Sequence, residues 1–84
     1  MNRKAALAIR YGVALAKQEA AQWYYVWMTT GESHIHWSAT ESRLRGVVRF
    51  RYRRLALEAL HRTRRKEFAK FSVKARDAAR KMLG

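Results

Sequence analysis

Arg45, Arg49, Arg51, Arg53, Arg54, Arg62, Arg64, Arg65 and Lys66 fall within 22 residues, interleaved with aliphatic and aromatic side chains. Guanidinium groups bind phosphate in planar, two-bond geometry and stack on rings, so this composition points to a polyanion, above all nucleic acid. Side chains four apart on a helix lie about 6 Å from one another. Arg45, Arg49 and Arg53 therefore predict one row that follows a phosphate backbone, and Arg62, Lys66, Lys70 and Lys74 predict its extension, flanked by Arg51, Arg54, Arg64 and Arg65. Within residues 42–66 only Glu58 relieves the repulsion. Contact with a polyanion would offset the rest.

Other chemistry finds little support. The chain has no cysteine, which excludes disulfides and thiolate metal sites. His34 and His36 would share a face of a strand, but a metal ordinarily takes three or four ligands and His61 is the remaining histidine; no metal or other cofactor is expected. The two loop histidines are better read as solvated or touching phosphate. No paired carboxylate motif, glycine-rich phosphate loop or nucleophile with an adjacent base appears, so catalysis is not expected. Nothing in the sequence matches a base-reading module, and phosphate contact without sequence specificity, to DNA or RNA, is the functional expectation.

The elements that would carry these residues follow from periodicity. The 84 residues hold 19 Lys plus Arg against 6 Asp plus Glu, a net charge of +13. The charge is uneven: residues 1–40 carry four basic and two acidic side chains, and residues 41–84 carry fifteen and four. With 49% hydrophobic and 12% aromatic residues the chain is too apolar for a disordered basic tail. It is read as one small basic helical domain over residues 1–84, mainly α, arranged as a helical hairpin.

The first helix is expected over about residues 3–28, with Ile9, Val13, Ala16, Ala20, Trp23, Tyr24 and Trp27 on one stripe. Arg3, Arg10 and Lys17 lie on another side. Gly12, Ala16 and Ala20 form a small-residue row that would admit a close neighbour. An irregular connection runs through Gly31 and Trp37. Ser38-Ala39-Thr40-Glu41 fits a capping box and predicts the start of a long basic helix reaching Leu83, about 65 Å if unbroken.

That helix is not expected to run straight. The apolar stripe of Leu44, Val47, Val48, Tyr52, Leu55 and Ala59 sits about half a turn from the stripe of Leu57, Leu60, Phe68, Phe71, Ala75, Ala78 and Met82. The helix must bend, break or face different partners, and Gly46 is one weak point. An alternative α+β reading places short strands near residues 23–28, 34–37 and 47–53, where Val48, Phe50 and Tyr52 alternate with arginines.

Apolar surface on more than one side suggests completion by protein partners or by further copies in a large assembly. Gly12, Ala16, Ala20, Trp23, Trp27, Leu57, Leu60, Phe68 and Phe71 are the candidate packing residues. The resulting expectation is a structural nucleic-acid-binding protein of a nucleoprotein particle or virion, either genome-coating or a small ribosomal-type subunit. The competing expectation is an accessory subunit of a mitochondrial membrane complex, touching but not spanning the bilayer. Residues 1–18, with four basic and no acidic side chains, have the composition of a mitochondrial presequence.

Overall fold

The computed structural model describes residues 2–31 and 37–83. The protein is mainly α, with helices α1 (Arg3–Thr30), α2 (Trp37–Val47) and α3 (Arg53–Leu83), and a single 3-10 turn, Phe50–Tyr52, before α3. Among the described residues there is no strand: residues 23–28 are helical, and 47–53 comprise the end of α2, the break and the start of α3. His34 and His36 lie outside the described residues.

Local chemistry sets the helix ends. Asn2 caps α1, its side-chain oxygen accepting from the Ala5 amide at 2.8 Å, which satisfies one of the free N–H groups of the first turn. At the other end Gly31 takes a left-handed conformation (φ 75°) and its N–H donates to the Trp27 carbonyl at 2.9 Å. Thr29 and Thr30 hydroxyls donate to the Tyr25 and Val26 carbonyls. α2 begins at Trp37, one residue before Ser38, so Ser38 falls within the helix and not at the position preceding it. Glu41, the acid of the expected capping box, turns its carboxylate to His61 on α3.

The long basic segment is interrupted at Val48–Arg49, not at Gly46, which sits exposed inside α2. The Val48 amide still bonds to the Leu44 carbonyl at 2.8 Å, but Arg49 is extended (φ −58°, ψ 143°). Two bonds satisfy the broken ladder: Arg53 Nε donates to the Val48 carbonyl at 3.0 Å, and the Tyr52 amide donates to Arg49 at 2.9 Å. The break lets Leu44 and Val48 enter the same core as Ala56 and Leu60, which an unbroken helix would set about a third of a turn apart. It also holds the longest dimension of the molecule to 51 Å.

α1 and α2 form the hairpin, and the interruption returns α3 alongside α1, parallel to it. The pairings rise together: Asn2 with Tyr52, Gly12 with Ala56, Glu19 with Arg64, Trp23 with Phe68 and Tyr24 with Phe71. α2 runs the other way, with Glu41 near His61 and Arg64 and Val48 near Arg53.

The α1–α3 contact is made by small residues. A Cβ on Gly12 would collide with the Ala56 carbonyl oxygen and lie 3.1 Å from its carbon and 3.2 Å from the Leu60 nitrogen. Both obstacles are backbone and neither can move aside alone. Ala5, Ala8, Gly12, Leu15, Ala16, Glu19 and Ala20 are the buried residues of α1. The contact stripe is therefore centred on the small-residue row, and Ile9 and Val13 are only half-buried. The core is thin: Leu44 and Leu60 are its largest fully enclosed side chains, and alanines fill most of the remainder.

An ion pair between Glu19 and Arg64 crosses this interface. Glu19 and Arg64 are 5% and 14% exposed, joined by two bonds of 2.7 and 3.1 Å. Beyond it the contact becomes aromatic, with Trp23 on Phe68 and Tyr24 on Phe71 at 5.3 and 5.1 Å between ring centres. Such pairs contribute roughly 0.5–1.5 kcal/mol beyond their buried area.

Two stability predictions follow from this interface. Gly12→Ala should lose at least about 2 kcal/mol in urea unfolding, because overpacking against backbone has no side-chain relief; an unchanged midpoint would contradict the close approach. Arg64→Met should lose about 3–5 kcal/mol by stranding the Glu19 carboxylate, while adding Glu19→Leu should recover most of that loss. Equal losses in the single and double variants would show that the pair is not the operative interaction.

Candidate nucleic-acid interface

The structure sorts the basic residues into groups with different surroundings. Arg64 is withdrawn from the surface by Glu19, and its second terminal nitrogen lies 3.7 Å from Glu41. Arg53 is half-buried, spans the helix break and places its guanidinium 5.6 Å from the Phe50 ring. Arg54 pairs with Glu58 at 3.2 Å, Lys70 lies 3.9 Å from Glu67, and Arg45 lies 3.8 Å from Glu41, the three cations all exposed. Such exposed pairs hold their partners by about 1 kcal/mol or less and yield readily to a phosphate.

Lys74 lies over the Tyr24 and Phe71 rings, 5.6 and 5.8 Å from their centres. It is the ammonium nitrogen that lies over the ring pair, a cation–π contact across the α1–α3 seam. Arg51 is exposed on the 3-10 turn with its guanidinium 5.9 Å from the Tyr52 ring.

Arg45, Arg49 and Arg53 do not form one helical row. They fall on α2, on the extended residue of the break and on the first residue of α3. The row from Arg62 through Lys66, Lys70 and Lys74 does lie on one uninterrupted helix, but it winds from the outer surface of α3 towards the α1 contact.

On the side of α3 turned away from α1, Arg62, Arg65 and Lys66 are exposed and form no ion pair with an acid among the described residues. Arg76 and Arg80 continue the same face, with exposed Ala69 and Val73 between. Arg62 and Arg76 are about 21 Å apart along the axis at 1.5 Å per residue. Spacing by three and four from Arg62 through Arg76 to Arg80 is visible in the sequence, but Arg76 and Arg80 stand outside the dense arginine cluster of residues 45–66. Arg3, Arg10 and Lys17 occupy the exposed side of α1.

The candidate packing residues are also placed. Gly12, Ala16, Ala20 and Leu60 are buried within the chain, and Trp23, Trp27, Leu57, Phe68 and Phe71 are half-buried. The near neighbour admitted by the small-residue row is α3 of the same chain.

Glu41 organises the cations between α2 and α3. Its carboxylate is 26% exposed and lies 3.1 Å from His61 Nε2. The hydrogen bond to His61 is the largest influence holding its pKa below the ordinary 4.5; the charges of His61, Arg64 and Arg45 act in the same direction, and burial opposes them. A carboxylate with a lowered folded-state pKa stabilises the fold above its unfolded value, and that contribution is lost as pH falls through the folded value. The stability advantage over Glu41→Gln should therefore persist above about pH 4.5 and shrink on further acidification in urea titrations. An advantage that grew below that pH would refute the assigned pairing.

In comparisons with known proteins, no family model matches the chain, and no curated protein or solved structure is significantly similar to it.

Proposed function

We propose that this protein is a structural nucleic-acid-binding protein that engages phosphate backbones without reading sequence, as one component of a nucleoprotein assembly. The observation that carries the proposal is the outer face of α3, where Arg62, Arg65 and Lys66 are exposed with no acidic partner among the described residues and Arg76 and Arg80 extend the track. A rigid helix spaces these charges at fixed intervals, and an incoming phosphate would displace no strong internal ion pair. Release of condensed counterions would supply much of the binding free energy.

The thin core supports the assembly part of the proposal. Val73, Met82 and Leu83 remain exposed on α3, and Tyr25 and Met28 on α1. Burying such side chains against a neighbour would add to the modest stability available to a domain of this size. No described helix is long and apolar enough to cross a membrane.

With roughly 6–10 phosphates engaged, affinity for mixed-sequence duplex should fall about 10³–10⁵-fold between 50 and 200 mM salt. Replacing Arg62, Arg65 and Lys66 together with glutamine should flatten the log–log salt slope by about three, with helix content unchanged. Fluorescence anisotropy with DNA and RNA of several sequences measures both. A flat salt dependence with weak binding at low salt, or strong preference for one sequence, would overturn the proposal.

A further inference from the structure

We propose that the end of the molecule formed by the first turns of α1 and the α2–α3 break is a second binding surface, fitted to an anionic phospholipid membrane. Its free charge is positive. Arg3 and Lys4 of α1 and Arg49 and Arg51 of the break are exposed here, whereas Arg45 and Arg54 nearby are loosely paired with Glu41 and Glu58 and Arg53 is held by the Val48 carbonyl. Basic side chains near an anionic membrane surface each add to the attraction until salt screens them.

Charge alone would suit any polyanion, but this end is also apolar where the outer face of α3 is mainly polar. Phe50 is 83% exposed, Val47 62% and Leu7 51%. Leu7 and Val47 face a groove of about 390 Å³ between α1 and the break, with Tyr11 and Tyr52 in its walls and Lys4 and Arg49 among its lining residues. Phe50 stands beside it on the 3-10 turn, between Arg49 and Arg51. The turn keeps its own backbone bond from Tyr52 to Arg49, so the ring can enter an apolar phase without exposing that amide.

Clustered apolar side chains with a basic surround match the two layers of a membrane surface. Acyl carbons would meet Phe50, Val47 and the groove, while Lys4, Arg49 and Arg51 extend to the phosphates above. A duplex backbone uses the cations equally well but offers nothing to the apolar walls of the groove. That difference favours lipid over nucleic acid at this end. The inference does not depend on nucleic-acid binding by α3 and can fail separately from it.

The test uses the full chain, freed of nucleic acid by nuclease treatment, in sedimentation with vesicles of phosphatidylcholine alone or mixed with phosphatidylglycerol. The expected result is partitioning onto the mixed vesicles and not onto phosphatidylcholine. Phe50→Ser combined with Val47→Ser should lower partitioning about tenfold or more, leaving duplex affinity within about twofold. Both sites are exposed, so circular dichroism should be unchanged, and Phe50→Trp should retain wild-type partitioning. Partitioning unaffected by the double serine variant would overturn the proposal, as would its absence on anionic vesicles. Equal loss of vesicle and duplex binding would assign this end to nucleic acid instead.

Discussion

The close approach of α1 to α3 at Gly12 is the constraint from which the rest of the architecture follows. Helices in contact through backbone leave little room for side chains between them, so the interface is lined with alanines. This fixes the relative height of the two helices. Glu19 is thereby set opposite Arg64, Trp23 opposite Phe68, and Asn2 beside Tyr52. Leu44 and Val48 of α2 then complete the core. A larger residue at position 12 would disturb all of these together.

Parallel placement of α1 and α3 has a consequence for charge. Basic residues are unavoidable on a chain of net charge +13, and the fold deals with them in three ways. Arg64 and Arg53 are used internally, one to neutralise a buried carboxylate and the other to satisfy a backbone carbonyl. Arg45, Arg54 and Lys70 are tied loosely to acids on their own helices. Arg62, Arg65, Lys66, Arg76 and Arg80 are left facing solvent, with no acidic partner among the described residues. The last group supports reading α3 as a phosphate-binding surface, because its charges are unopposed and rigidly mounted.

Much of this was legible in the letters. Mainly helical structure follows from the three-and-four spacing, and the half-turn offset between the stripes of residues 44–59 and 57–82 required a break or bend. Its location was not legible. An exposed helical glycine such as Gly46 is tolerable, whereas the break at Val48–Arg49 depends on burial of Leu44 and Val48 and on Arg53 reaching back to a carbonyl. The position of the α1 contact stripe was also missed by part of a turn, since hydrophobic size favours Ile9 and Val13 while close packing selects Gly12. Burial of Glu19 rests on Arg64, 45 residues away, and no local pattern signals such a pair. For the candidate interface, the sequence identified the cations but could not separate Arg64 from Arg65.

Those two neighbours offer the most direct test of the account, because they are adjacent in sequence and differ in surroundings. Salt-dependent duplex binding and urea unfolding should be measured together on Arg65→Gln and Arg64→Gln. The account predicts that Arg65→Gln flattens the salt slope by about one with stability unchanged, and that Arg64→Gln loses several kcal/mol of stability, roughly 3–5. An unaltered slope in Arg65→Gln, or an undiminished stability in Arg64→Gln, would contradict the division of labour on which the proposed interface rests.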